Sequence, residues 1–477
     1  MAPRPVRRSG ASGDDDVNGK PIDDLPLLPL PAAAARPGAP TVHIETYGCQ
    51  MNVYDSAAIA GLLERDGFAA SDDPLTADVV LINTCSVRDH AEHKVLSRIG
   101  ELRRDRAEAG HAPAVMGLIG CMAERLGKAL TGERQRLDVV VGVDSYESLP
   151  KILTARLAAA DGARPAVVTG HRDDVHYVAP PQLYPQNGSH LVTIHKGCDY
   201  RCTYCIVPTT RGPQREKAPA AILDEVRAIV AAGGQEVTLL GQNVTAYRWR
   251  DELDFAGLLQ QVARIDGLAR IRFLTGHPRD MHEQLMDVIG AEPKVCPSLH
   301  VPVQSGSDGV LRRMKRLYTR ADYLRMVAHA RRVIPDVTIS ADVIVGFPGE
   351  SEDDFAQTLS LVREVGYDSL FCYTYSERPG APAERLGDDV PDPIKKRRLA
   401  EVMALQDEVW RAIAAAQVGQ SWNAVAEEPA RRPEGSWRLR TANNRKVLAP
   451  LDGAVAGRIY RVRVEGVLNT GFVGVVV

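Results

Sequence analysis

The stretch "KGCDYRCTYC" at 196–205 sets thiols at Cys198, Cys202 and Cys205, a C-x-x-x-C-x-x-C spacing. Thiolates so close together are soft metal ligands. Three are one short of a closed tetrahedral zinc site and one short of an all-cysteine iron–sulfur cube. Either a fourth ligand arrives from far along the chain, or one metal corner is left open. A cube held by three thiolates has one iron free to take a small molecule through an amine and a carboxylate. Zinc is the competing reading, and it ranks lower because no fourth cysteine follows at close spacing.

A second set lies upstream. Cys49, Cys85 and Cys121 are each 36 residues from the next (49 to 85, 85 to 121). Isolated buried cysteines are common, and that is the reading for Cys296 and Cys372, which belong to neither set. The other three end equivalent segments. "TVHIETYGC", "ADVVLINTC" and "AVMGLIGC" are strand-like runs, each followed by a helix-like segment. Alternation of this kind predicts an α/β unit over 41–155, an open parallel sheet with helices on its faces. Ligands of such sheets sit at the carboxyl ends of the strands, so the three thiols converge at one edge. A second trio able to hold an iron–sulfur cluster follows.

From about 190 to 410 the alternation resumes. Six strand-like runs begin with "LVTIHKGC" and end with "YDSLFCYTYS". Six βα repeats are too few for a closed eight-stranded barrel and suit a crescent-shaped partial (βα)6 barrel. Polar and glycine residues gather where the strands end: Gln242 and Asn243, His277, Gln304, Gly346. The "VGFPGE" glycines read as a turn or as a ligand cradle, and His277 as a substrate contact or a turn residue.

The chain resembles the methylthiotransferase family of radical S-adenosylmethionine enzymes. The matching stretches include "TYGCQMN", "NTCSVR", "GCMAE", "CTYCIVP", "LLGQNVTAY", "HPRDM", "HVPVQSGSDGVLRRMKRLYT", "DVIVGFPGE" and "SERPGAPA". The resemblance implies two [4Fe–4S] clusters, an auxiliary one on Cys49, Cys85 and Cys121 and a radical one on Cys198, Cys202 and Cys205. It implies S-adenosylmethionine near Tyr204, Gln242, Asn243, Gln304, Gly346 and Phe347. Reductive cleavage of its sulfonium would release a deoxyadenosyl radical, able to open an aromatic C–H bond that acid–base chemistry alone cannot. The implied reaction turns C–H into C–S at carbon 2 of a dimethylallyl-bearing adenosine beside the anticodon of tRNA. A threonylcarbamoyl-bearing adenosine and a ribosomal protein are the alternative substrates. The implied partners are the tRNA anticodon stem-loop and an electron donor such as flavodoxin or ferredoxin, with the enzyme a monomer. One departure stands out: Gln214, in "TTRGPQREK", replaces an expected acid and puts substrate contacts by that loop in doubt.

The last segment, 415–477, has five short β-like runs and reads as a small barrel. It holds nine Lys plus Arg against five Asp plus Glu, a surplus of four in a chain whose formal charge is −3. The resemblance places an RNA-binding TRAM domain here, with Arg438, Arg440, Arg445 and Lys446 beside Trp437 as phosphate contacts. The remainder is bland. Residues 1–40 read as a disordered tail and 156–189 as a linker. No apolar run is long enough to span a membrane. Eight cysteines are too sparse for a disulfide scaffold. Free thiols fit the reducing cytoplasm.

Overall fold

The computed structural model describes residues 38–86, 89–132, 137–160, 163–172, 177, 185–186 and 188–477. The expected tail, but for its last three residues, lies outside this set. The first unit opens with β1 (Thr41–Tyr47), α1 (Gln50–Arg65), β2 (Val79–Thr84), α2 (Asp89–Glu108), β3 (Val115–Gly120) and α3 (Cys121–Leu126). The run "VVLI" in β2 is apolar on both faces because both are covered, as a parallel sheet requires. Ile59 and Leu63 of α1 pack on one face with Leu149 and Leu153; Val95, Ile99 and Leu102 of α2 pack on the other.

Two further strands, β4 (Val139–Val141) and β5 (Ala166–Val168), extend the sheet beyond β3, and Ala69–Ala70 pairs outside β1. All these pairings are parallel. The chain therefore winds outward from β1, then reverses to reach β2. That reversal between β1 and β2 is a switch point, where open sheets form a crevice. The register sets Tyr47 beside Thr84 and Thr84 beside Gly120, so Cys49, Cys85 and Cys121 leave the sheet at one level. Strand β5 falls inside the segment expected to be a linker; three residues, "AVV", are too few to show a period.

The second unit is the open half-barrel. Its strands are β6 (Ser189–Thr193), β7 (Glu236–Leu240), β8 (Arg270–Phe273), β9 (Ser298–His300), β10 (Thr338–Val345) and β11 (Ser369–Thr374). They form two parallel groups, β8-β7-β6 and β9-β10-β11. A bridge from Ile271 to Val295 and the Gly276 N–H on the His300 carbonyl (3.0 Å) join them into one curve. Leu239, Ile271, Leu299, Val343 and Leu370 fill the core between strands and helices. Ser351 starts the helix Glu352–Val365 by taking the Asp354 N–H (3.1 Å), with three acids in its first turn to suit the helix dipole.

A long helix, Asp392–Ala415, leads to the C-terminal barrel of β12 (Ser421–Pro429), β13 (Ser436–Thr441), β14 (Lys446–Pro450), β15 (Ile459–Leu468) and β16 (Gly471–Val476). It closes in the order β12-β13-β14-β16-β15 around Phe472, which Trp410 and Trp422 meet edge-on at 5.3 and 5.1 Å. The barrel docks under the half-barrel. Arg272 donates to the carbonyls of Thr441 (2.7 Å) and Ala442 (2.8 Å), and Thr338 to that of Asn443 (2.7 Å). Glu236, Arg270 and Thr338 begin their strands, so this is the amino-terminal end of the sheet.

That docking corrects two expected RNA contacts. Arg440 pairs with Glu236 (3.2 Å) and Glu427, and Arg445 faces Asp368 (3.7 Å) over the Trp422 ring (5.3 Å). Both side chains are largely buried between domains. Local sequence shows a basic cluster but not which of its faces another domain covers. Arg438 and Lys446 stay exposed, as do Arg458 and Arg461.

Candidate functional site

The first trio rests on a buried amide network. Cys49 caps α1: its N–H and thiol both reach Asn52 Oδ1, at 3.3 and 3.4 Å. The Asn52 amide donates to Asn83 Oδ1 (3.0 Å), and Asn83 donates to the Asn52 carbonyl and to Ser56 Oγ, both at 2.9 Å. The non-cysteine letters of "TYGCQMN" and "NTC" thus build the floor on which the thiols stand. A Cβ on Gly120 would fall 2.4 Å from Asn83 Oδ1, and one on Gly48 2.8 Å from Cys85 Cβ. Both glycines also take positive φ, 92° and 149°. The neighbouring Cys85 thiol, aided by the charge of Arg211, draws Cys49 and Cys121 below the usual thiol range.

The second trio leaves β6 at the mouth of the half-barrel. The Gly197 N–H donates to Gln242 Oε1 (2.5 Å), which ties the loop to the end of β7. Burial pushes Cys198 up to about 11 and Cys205 to about 12. Arg316 is buried against this trio: Nη1 lies 3.4 Å from Cys202 Sγ and 3.3 Å from the Tyr204 hydroxyl, and Nη2 donates to the Pro302 carbonyl (2.7 Å). His195, three residues before Cys198, is fully buried, with Nε2 on the Asn243 carbonyl (2.9 Å).

The two domains meet beside the first trio. Arg211, six residues past Cys205, places Nε 3.2 Å from Cys121 Sγ and Nη2 2.9 Å from Asp55 of α1. Beside it Arg215 pairs with Asp144 (2.6 Å), Lys217 with Glu225, and Tyr54 of α1 donates to Glu225 (3.2 Å). The loop 211–217 is therefore a clasp between the domains. Its Gln214 donates to the Ala246 carbonyl (2.9 Å) and to Glu216 (2.8 Å), so the departure noted in the sequence falls on a contact within the half-barrel.

Residues 192–362 match the radical SAM superfamily, and residues 41–142 match the uncharacterized protein family UPF0004. A tRNA-2-methylthio-N(6)-dimethylallyladenosine synthase of Carboxydothermus hydrogenoformans is 41% identical over 431 residues, covering 89% of this chain and 97% of that one. The synthase of that name from Chloroherpeton thalassium is 39% identical over 435 residues, covering 91% and 95%. The chain belongs to this synthase family. Among solved structures, the radical S-adenosylmethionine methyltransferase TsrM of Kitasatospora setae aligns with TM-score 0.53 at 15% identity, over 72% of this chain and 74% of that one. The radical enzyme OxsB aligns at 0.51 and 12% identity, over 78% and 56%. These two share the fold.

Family membership makes the chain a radical S-adenosylmethionine enzyme, a class that works with a [4Fe–4S] cluster and S-adenosylmethionine. The residues fit such a group. All eight cysteines are free, and a ligating thiol must lose its proton. Burial alone opposes that at Cys198 and Cys205; a cationic cluster held there would offset it.

The expected cofactor contacts divide in two. Gln304 sits in the left-handed region (φ 71°), and its Oε1 is buried without a partner among the described residues. Gly346 also has φ 71°, and a Cβ there would meet Lys395 Cγ at 2.3 Å. Gln304 suits a ligand edge; at Gly346 the missing Cβ makes room for Lys395 and the N–H donates to Glu350 (2.5 Å), so that expected contact is spent within the protein. Asn243 is spent on structure: its amide donates to Asp280 (2.6 Å) and its Oδ1 takes the Thr245 hydroxyl (2.8 Å) and the His277 N–H (3.0 Å). Phe347 is fully buried, edge-on to Tyr375 at 5.2 Å in a cluster with Tyr204 on its rim. His277 stacks on Tyr200 at 3.9 Å, and burial drops it to about 2, so it stays neutral. Arg211 and Arg316 were not singled out in the sequence. An arginine near a motif reads as solvated by default, and only the fold reveals that these two are buried on sulfur.

Proposed function

We propose that the chain methylthiolates carbon 2 of the N(6)-dimethylallyladenosine beside the anticodon of tRNA. The observation that carries this is the near-full-length likeness to synthases of that name, joined to two cysteine trios, the first of which is contacted at Cys121 by Arg211 of the radical domain. In this reading Cys198, Cys202 and Cys205 hold the radical cluster, and Cys49, Cys85 and Cys121 hold an auxiliary one. When bound, the radical cluster supplies the electron that cleaves the sulfonium of S-adenosylmethionine.

The chain's own residues have defined tasks. Gln242 fixes the loop before Cys198; Arg316 and Tyr204 back the Cys202 thiol. Gln304 Oε1 is the contact left for the nucleoside or amino-acid part of S-adenosylmethionine. The C-terminal barrel holds tRNA through Arg438 and Lys446, joined by Arg458 and Arg461, as phosphate contacts. A flavodoxin- or ferredoxin-like protein supplies electrons, and the working unit is a monomer. Mass spectrometry of tRNA nucleosides tests the function. Cells lacking this chain should accumulate the dimethylallyl nucleoside and lack its 2-methylthio form, and the chain supplied in trans should restore it. A methylthio product on a different base or on a protein would overturn it.

A further inference from the structure

We propose that Arg211 sets the reduction potential of the auxiliary cluster, acting on it through the Cys121 sulfur. This rests on the two-cluster reading above. The guanidinium is buried, and its Nε points at Cys121 Sγ at 3.2 Å. Sulfur is a weak acceptor, so a purely structural arginine has little reason to spend a buried donor on it. Other interface arginines here do not: Arg272 uses Nη1 and Nη2 on backbone carbonyls and Nε on Glu236. Arg211 also leaves Nη1 with no partner among the described residues. Its remaining bond, to Asp55 at 2.9 Å, fixes the group and offsets part of its charge.

Hydrogen bonds to cluster sulfurs and nearby positive charge favour the reduced, more negative state, and so raise the potential. Asp55 works in the opposite sense. The pair Arg211–Asp55 is thus a charge balance placed on one corner of the trio. Arg211 comes from the radical domain while Cys121 comes from the N-terminal domain. The tuning therefore exists only when the two are docked, and any opening of the interface would lower the auxiliary potential.

The test uses the full chain with Cys198, Cys202 and Cys205 all changed to Ala, reconstituted anaerobically, so that only auxiliary iron remains. Its midpoint is read by EPR-monitored redox titration. Arg211→Gln should make the midpoint more negative by a tenfold or larger change in the reduction equilibrium, about 59 mV for one electron. Arg211→Lys should recover part of that shift. Asp55→Asn, which keeps the guanidinium, should move the midpoint the other way, and it decides the matter if Arg211→Gln holds no iron. Midpoints unmoved at full iron content would overturn the inference and leave Arg211 as a clasp. A reconstituted parent without iron would overturn the two-cluster reading itself, and the inference with it.

Discussion

Arg316 Nη1 lies 3.4 Å from Cys202 Sγ, and the residues on either side of Arg316 are both left-handed, φ 56° at Lys315 and 57° at Leu317. These two departures from the usual backbone, one on each side, turn the arginine inward and leave Leu317 61% exposed. A left-handed backbone costs a non-glycine residue on the order of 1 kcal/mol. The strain is part of how Arg316 reaches the thiol.

Leu317→Gly removes that cost and gives up little buried surface. We expect the variant to be more stable by up to about 1 kcal/mol, with unchanged iron content. Thermal melts of parent and variant check this; a lower melting temperature would show that the Leu317 side chain has a contact worth more than the strain.

At Gly120 the opposite holds. Its φ of 92° and the 2.4 Å approach to Asn83 Oδ1 leave no room for a methyl group. Gly120→Ala should destabilise by about 1–3 kcal/mol and disturb the Asn52–Asn83 floor. Iron bound by the first trio should fall, while iron bound by Cys198, Cys202 and Cys205 persists. Iron and sulfide analysis in two backgrounds, each with one trio removed, separates the two losses.

The basic residues of the last domain should split by exposure. Arg438→Ala with Lys446→Ala should weaken tRNA binding and flatten its salt dependence, since each lost phosphate contact removes counterion release. Arg440→Ala should lower stability instead, by about 1–3 kcal/mol, because Glu427 loses this buried partner while Arg272 still holds Glu236. Filter binding at several salt concentrations, beside chemical unfolding, tells the two apart. Equal loss of tRNA affinity in both variants would mean that the interface opens to admit RNA.

His171 gives a pH signature. It hydrogen-bonds Asp144 (3.4 Å) and the Thr209 carbonyl (2.9 Å), and the Asp144 bond raises it above the ordinary imidazole value. A raised value means that its stabilisation is fully present below the unfolded imidazole value, about 6.5, and is lost as pH climbs through the folded one. Asp144 is pushed up by burial but drawn down further, to about 2, by His171 and Arg215, so its share is lost only in strong acid. His171→Ala should therefore be less stable than the parent near pH 6, with the gap narrowing toward pH 8. Urea titrations across that range measure the gap, and a constant difference would count against the ion pair.

Much of this was legible in the chain. The runs ending at Cys49, Cys85 and Cys121 revealed a parallel sheet with its thiols at one edge because strand period and strand-end chemistry are local properties. The five C-terminal strands were equally plain in their alternation. The two buried arginines were not, because burial of Arg211 depends on a domain packed from the other side, and that of Arg316 on two unfavoured backbone angles. Arg440 and Arg445 misled for the same reason in reverse. A charge looks exposed in sequence until a partner such as Glu236 or Asp368, far away along the chain, is brought to it.

The C-terminal barrel hangs from the starts of strands β7, β8 and β10, while both cysteine trios sit where strands finish. Strand β10, Thr338–Val345, has 8 residues. At roughly 3.3 Å per residue such a strand is about 26 Å long. A nucleic acid gripped by the barrel and presented at the mouth must reach across at least that height. A free nucleoside or a short oligonucleotide fits one end or the other. If the barrel is the tRNA anchor proposed above, the body of the half-barrel would serve as a ruler, selecting substrates by reach before any base is read.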